Sequence, residues 1–365
     1  MRLLLGLFLF SAFLLPMNGQ AEEKKEPVQF AIVGCAHIHV PSFIALMKYR
    51  EKDVKVKYVW DHDAARAKKA AEAAGATAVD DVAKIWGDPA IKAVVILSET
   101  VRHEELVIAA AKAKKHMFVE KPLAMGARDA YAMMQAVEEA GVLFQMGYTH
   151  RGQGRVQYVR QQIEAGNLGK VTRIRASTGH GGATEGMFDT DFKWNTDMKQ
   201  AGVGGFGDIG THALDMLLFM MGEVESVTAV LTPGNGRYPG CDEGGEGLIR
   251  FKNGVVGTVA GTWCASSNPI TFEICGTEGH AWFLHDYCYL QSKKVEKATG
   301  RRPVGKMPKS WQNVLDMFID AVLGKPDLPL VTIREAAYRS AVMEAMYQGA
   351  KEKKWVTPQA PPAKK

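Results

Sequence analysis

Between Val28 and about Tyr148 the chain alternates short apolar runs with stretches of helical periodicity, and few architectures satisfy that pattern. Phe30–Val33, Val56–Trp60, Ala93–Leu97, His116–Val119 and Val142–Met146 read as buried strands. Between them Ser42–Arg50, Ala64–Ala74, Glu104–Ala113 and Ala127–Ala140 read as helices, the second of them ended by Gly75. Strands alternating with helices of this length form βαβ units, and the resulting parallel sheet is covered on both faces.

After Arg151 the texture changes. Val156–Glu164 reads as a helix ended by Gly166, followed by alternating strands at Val171–Ser177, Ser226–Leu231, Glu246–Lys252, Val255–Trp263 and Thr271–Cys275. Asn253-Gly254 is a hairpin signal. Two late helices follow at Trp311–Leu323 and Arg334–Lys351. The fold expected is α/β: a Rossmann-type dinucleotide-binding domain over 28–149, then an α+β domain over 150–355 with a mostly antiparallel open sheet. The 365 residues, 47% hydrophobic and 23% charged, suffice for two such cores. The net charge of +5 is small and scattered, which excludes a nucleic-acid surface. The end of the chain, 356–365, closes on Pro361-Pro362-Ala363-Lys364-Lys365 and reads as a disordered tail.

Arg2, the apolar run Leu3–Leu15 and Gly19-Gln20-Ala21 have the order of a secretory signal peptide over 1–21, so export to the periplasm or cell exterior is expected, with no membrane association after cleavage. An uncleaved anchor or a buried N-terminal helix, and with the latter a cytoplasmic protein, are the alternatives. Export permits disulfides. The five cysteines (Cys35, Cys241, Cys264, Cys275 and Cys288) are odd in number and show no C-x-x-C spacing, so buried free thiols are expected.

The first strand runs into Gly34-Cys35-Ala36-His37-Ile38-His39 and then a helix, the position of a dinucleotide fingerprint. Gly34 can make the tight turn, Ala36 still admits a pyrophosphate, and His39 replaces the glycine used for close helix packing. Asp61 ends the second strand, where an acidic group accepts the adenosine ribose hydroxyls and repels a 2′-phosphate. NAD is therefore expected over NADP, with Arg66 nearby softening the preference. Asp61 could equally cap the next helix. His37 and His39, with no clustered carboxylate or thiol partner in the sequence, do not suggest a metal site.

Glu120-Lys121-Pro122 follows the fourth strand, which places Lys121 in the crevice where ligands bind in this fold class. Gly204-Gly205-Phe206-Gly207-Asp208-Ile209-Gly210-Thr211-His212 opens a later helix, and Asp208 and His212 share one face of it. A hydride leaves a carbinol carbon only as the hydroxyl proton is removed. His212 can take that proton, Lys121 can stabilise the alkoxide, and Asp208 can bind a neighbouring hydroxyl or orient the imidazole. The glycines would let substrate approach. A capped helix with a buried histidine is the bland alternative.

These motifs, with Ala165-Gly166-Asn167-Leu168-Gly169-Lys170-Val171 and Ala213-Leu214-Asp215, make the chain resemble the Gfo/Idh/MocA oxidoreductase family from Val28 to about Val356. The resemblance implies Lys121, Asp208 and His212 as the catalytic group and a second domain that makes subunit contacts in a homo-dimer or homo-tetramer. It implies a cofactor site of Gly34, Cys35, Ala36, His37, Ile38, Asp61, Ser98, Glu99, His103, Glu120, Lys121 and Gln145. The chain departs from the family at Ala36 and His39, and at Ser98-Glu99-Thr100, where Glu99 is expected along the nicotinamide ribose path.

Tyr148, His150 and Arg151 are expected at the domain junction, and His180 and Trp194 on a polar loop walling the pocket. Tyr148, Arg151, His180, Trp194, Asp208 and His212 are the substrate-binding candidates, and such a wall suits a sugar or cyclitol. An exported enzyme meets no obvious NAD recycling pool. That leaves three readings: a dehydrogenase, a redox-neutral glycosidase, lyase or epimerase with retained NAD, and a non-catalytic sugar-binding protein with a vestigial cofactor site.

Overall fold

A computed structural model describes residues 26–364, so the expected signal peptide lies outside the described residues. The first sheet holds β1 (Val28–Val33), β2 (Val54–Trp60), β3 (Thr77–Ala78), β4 (Ile91–Ile96), β5 (His116–Val119) and β6 (Phe144–Met146). All its pairings are parallel, in the order β3-β2-β1-β4-β5-β6. Helices α1 (Val40–Tyr49), α2 (Ala64–Ala74), α3 (Ala83–Gly87), α4 (His103–Lys112) and α5 (Ala127–Ala140) connect the strands. The chain reverses direction across the sheet between β1 and β4, and the crevice at their carboxyl ends is where ligands bind in open α/β sheets.

The second domain starts with α6 (Gly154–Glu164), β7 (Val171–Gly179), two single-turn helices α7 (Gly182–Glu185) and α8 (Met198–Ala201), and the long α9 (Gly205–Met221). Strands β8 (Val224–Thr232), β9 (Gly244–Phe251), β10 (Val256–Thr262), β11 (Ile270–Gly276), β12 (Gly279–Leu284), β13 (Tyr287–Ser292) and β14 (Thr299–Pro303) complete an eight-stranded sheet. It is antiparallel except for the β7–β10 pair. Inward residues such as Ile174, Val259 and Phe272 pack under α9, and the alternation of buried and exposed positions along β9 is the period of two that a one-sided sheet requires. Gly261 admits α9: a Cβ there would lie 2.5 Å from the Phe206 carbonyl oxygen.

The last two helices, α10 (Val314–Val322) and α11 (Ile333–Glu352), correct the expected division at 150–355. Leu315, Phe318 and Ile319 of α10 are buried against Phe30, Val95 and Phe118 of the first sheet. The first half of α11 joins the core with α5, while Val342, Met343 and Met346 join the core of the second sheet. The chain therefore returns to complete its first domain. The end of the chain is corrected too. Val356 pairs with Val227, the Tyr131 hydroxyl donates to the Gln359 carbonyl at 2.5 Å, and Arg334 donates to the Pro362 carbonyl at 2.7 Å. Residues 356–362 are thus a strap across both domains, tied by backbone groups that composition cannot reveal. The five cysteines are free thiols, as expected, but only Cys241 and Cys288 are buried, while Cys35, Cys264 and Cys275 are half-buried. Among the described residues no helix is long and apolar enough to cross a membrane.

Candidate active site

The turn after β1 starts at Gly34, whose φ is +81° and whose Cβ, were there one, would lie 2.5 Å from that of Ser98. Only glycine fits there. Cys35 donates its amide to Asp61 Oδ2 at 2.5 Å, which ties the turn to the end of β2. The amides of Ala36 and Ile38 donate to no group among the described residues and sit just before α1, the geometry that receives a pyrophosphate. The residues present fit a dinucleotide.

Asp61 does not cap α2; Asp63 does, accepting from the amides of Ala65 and Arg66. Asp61 Oδ1 accepts from the Asp63 amide at 2.7 Å and from Arg66 Nη2 at 2.9 Å. Glu99 lies on this adenosine-ribose side and not along the nicotinamide ribose path, because Arg66 Nη2 also donates to its Oε1 at 2.8 Å. Two further cofactor candidates act as scaffold. His103 is buried with its ring nitrogens 3.0 Å and 3.3 Å from the carbonyls of Leu123 and Ser98. Gln145 donates to the Met146 carbonyl and accepts from the Val331 amide.

His37 and His39 acquire the carboxylate partner that the sequence did not reveal. Their ring nitrogens and Glu120 lie within 4.8 Å of one another. His37 Nδ1 accepts from the His39 amide at 3.2 Å, so a neutral His37 carries its proton on Nε2, facing Glu120. His39 Nδ1 lies 2.8 Å from Glu120 Oε1, and the Lys121 amide donates to Oε2 at 2.8 Å. This donor arrangement suits a buried carboxylate. Burial alone would raise the Glu120 carboxyl, but His37, His39 and the Lys121 ammonium outweigh it and hold it at about 2. Burial drives His37 down to about 3.

Lys121 emerges from the end of β5 and meets the first turn of α9. Its Nζ lies 2.7 Å from Asp208 Oδ1, and Trp263 Nε1, just past β10, donates to Asp208 Oδ2 at 3.0 Å. Asp208 is buried, which would raise its carboxyl, but Lys121 reverses the sign and holds it below its ordinary value. Asp208 thus orients Lys121, not the imidazole of His212. His212, one turn along α9, is 7% exposed and stacks on His150 at 4.7 Å between ring centres. Its Nδ1 is buried and makes no hydrogen bond, which leaves Nε2 as the working nitrogen. Burial first, then His150 and Lys121, hold His212 well below the usual histidine range. The glycines before it serve the packing of α9: a Cβ at Gly205 would lie 2.5 Å from the Glu243 carbonyl oxygen.

The substrate candidates divide. His180 follows β7, accepts from the Gly182 amide at 2.9 Å, and lies near enough to Asp208 and Lys121 to feel both charges. Tyr148 is buried, its hydroxyl 3.0 Å from Thr211 Oγ1 and its ring edge-on to His212, so it supports the histidine from behind. Arg151 is corrected: it is 3% exposed, donating from Nε to Asp215 at 2.9 Å and from Nη1 to Glu335 at 2.8 Å. Trp194 is corrected as well, because it is buried with Nε1 donating to the Ala36 carbonyl at 3.0 Å, a latch from the second domain onto the cofactor turn. Sequence reasoning missed Trp263 and the pairing of His150 with His212, since neither carries a local motif.

Fold and site define a class: a two-domain protein whose Rossmann turn faces a Lys–Asp ion pair contributed by both domains. A family model described as an oxidoreductase family with an NAD-binding Rossmann fold matches residues 28–148, and the GFO/IDH/MocA C-terminal domain matches 156–282. The chain belongs to the Gfo/Idh/MocA family. It is 33% identical over 245 residues to levoglucosan dehydrogenase of Pseudarthrobacter phenanthrenivorans, covering 60% of this chain and 62% of that protein. It is 30% identical to scyllo-inositol 2-dehydrogenase (NAD(+)) of Bacillus subtilis, over 55% of this chain and 57% of that one. It is also 30% identical to 2,7-anhydro-N-acetylneuraminate hydratase of Escherichia coli, over 52% and 50%. The chain thus matches about half to six-tenths of the length of these relatives. A levoglucosan dehydrogenase structure in complex with NADH and levoglucosan superposes with a TM-score of 0.76 at 25% identity, covering 91% of this chain and 99% of that one.

Proposed function

We propose that this protein is an NAD-dependent oxidoreductase acting on a carbinol carbon of a sugar or cyclitol. The observation that carries the reading is the 2.7 Å pair between Lys121 and Asp208, set between the Gly34 turn and His212. Gly34, Ala36, Ile38 and Asp61 would hold the dinucleotide, which when bound supplies a hydride acceptor. Lys121, fixed by Asp208, donates a hydrogen bond to the substrate oxygen and stabilises charge that develops on it. His212 Nε2 takes the hydroxyl proton. A neutral imidazole with depressed basicity is adequate for this, because the oxygen becomes strongly acidic as the hydride departs. The match to sugar and inositol dehydrogenases supports the substrate class.

A second reading has a specific observation behind it. The Trp194 latch covers the cofactor turn, and a retained NAD could serve a redox-neutral elimination, hydrolysis or epimerisation in which the hydride returns to the substrate. One relative is a hydratase. Export of the mature chain and homo-oligomerisation through the outer face of the eight-stranded sheet belong to the proposal as well. Cell fractionation and light scattering test them.

Purified protein decides between these readings. Absorbance growing near 340 nm with NAD and a candidate sugar is the expected result. Nucleotide released on denaturation, with turnover but no net NADH, would favour the redox-neutral route. Absence of bound nucleotide together with absence of any NAD-dependent thermal shift would leave only a sugar-binding protein. Lys121→Ala is expected to abolish turnover with the fold intact, and full activity in that variant would refute the assignment.

A further inference from the structure

Ser98-Glu99-Thr100 departs from the family pattern, and the mechanism above gives Glu99 no task. Glu99 is nevertheless 3% exposed at the mouth of the adenosine side. Its Oε1 accepts from Arg66 Nη2 at 2.8 Å, and the same nitrogen lies 2.9 Å from Asp61 Oδ1. Arg66 is therefore shared by two carboxylates from the ends of β2 and β4, the strands that flank β1. Glu99 Oε2 is buried without a hydrogen bond, with Arg102 Nε at 3.9 Å. Arg102 is also paired with Glu105 at 2.9 Å, and His62 faces both Asp61 at 3.3 Å and Glu99 at 3.7 Å. Two guanidiniums against three carboxylates leave one net negative charge.

An arginine near the adenosine ribose is the usual means of accepting a 2′-phosphate. Arg66 is in that place, 23% exposed, yet its Nε and Nη2 are turned inward onto Asp61 and Glu99. We propose that Glu99 is a cofactor-specificity residue: it locks Arg66 into the bridge with Asp61 and so withholds from a 2′-phosphate the guanidinium that could bind it. The inference rests on the dinucleotide reading of the site and deepens it. Asp61 repels a phosphate directly, whereas Glu99 acts by holding Arg66.

Binding measured by calorimetry or nucleotide fluorescence tests this without turnover, using NAD, NADP, 5′-AMP and adenosine 2′,5′-bisphosphate. The wild-type protein is expected to bind NAD and 5′-AMP in preference to their 2′-phosphorylated counterparts. Glu99→Gln keeps the shape and removes the charge. It is expected to tighten NADP about tenfold or more, the worth of one charge-assisted hydrogen bond, while NAD changes by less than about threefold. Adding Arg66→Met is expected to cancel that gain. Glu99→Ala, which removes the carboxylate altogether, serves if the glutamine variant fails to fold. An unchanged ratio of NAD to NADP affinity in both Glu99 variants overturns the proposal. So does a gain that survives Arg66→Met, since Glu99 would then act by bulk charge. Binding of neither dinucleotide by the wild-type protein would instead remove the functional reading, and this inference with it.

Discussion

At the scale of single residues, the chemistry depends on charges that are held rather than merely present. Lys121 was placed by its position after a parallel strand, but its counterion comes from the other domain. Asp208→Asn keeps the shape and removes that charge. We expect kcat/KM to fall about 100-fold or more while the NAD affinity is kept, because one preorganised electrostatic contact is typically worth that much. Turnover close to wild type would mean that the pair is scaffolding. The histidines carry a pH dependence whose sign can be worked out. Burial lowers His37, His103 and His212 in the folded state relative to an ordinary value of 6.5. Between the folded and unfolded values the unfolded chain binds more protons, so stability is full above about 6.5 and is lost as the pH falls below it. Each such group contributes at most about 1.4 kcal/mol per pH unit within its window. The Tm is therefore expected to decline from pH 7 to pH 5; a flat Tm over that range would contradict the buried, neutral state of these rings.

At the scale of elements, α9 is the component that aligns the site. Its glycines let it lie against the second sheet, which brings Asp208 to Lys121 and His212 to His150. Two turns further on, Asp215 accepts from both Arg151 and Arg339, fully buried, and so ties α9 to the junction and to α11. The run Tyr148-Thr149-His150-Arg151 was legible as junction sequence, but the direction of Arg151 was not, because its partners lie 64 and 184 positions away. Replacing Asp215 by Ala leaves two buried guanidiniums with Glu335 as the one carboxylate still paired with them. A loss of about 3–5 kcal/mol in denaturant unfolding is expected. A loss below about 1 kcal/mol would mean that water reaches these groups when the carboxylate is removed.

At the scale of the whole molecule, the two domains are not consecutive pieces of chain. α10 supplies Phe318 to the face of the first sheet that already contains Phe30 and Phe118, with ring centres 5.9 Å and 6.2 Å away. α11 is buried in both cores. Unfolding one domain therefore uncovers the other, and calorimetry is expected to show one transition. Phe318→Ala should lower the stability by about 3–5 kcal/mol and move that single transition as a whole. Separation into two transitions in the wild-type protein would show that the shared helices do not couple the domains.

The alternation of strands and helices, the glycine turn, and the Glu-Lys-Pro and Asp-to-His segments are local. Their periodicity, backbone restrictions and spacing are written in neighbouring residues, and so five of the six strands of the first sheet, most helix boundaries, and the candidacy of Lys121, Asp208 and His212 could be read directly from the sequence. What each of these residues touches was decided elsewhere. That Asp208 serves Lys121, that Arg66 is shared with Glu99, that Glu120 gathers His37 and His39, that Arg151 pairs with Asp215 and that Trp194 latches onto the cofactor turn all depend on contacts between distant segments. Side-chain direction, burial and the sharing of a counterion become fixed only when the sheets pack and α10 and α11 close over them, because charges and hydrogen-bond donors choose partners by distance in space.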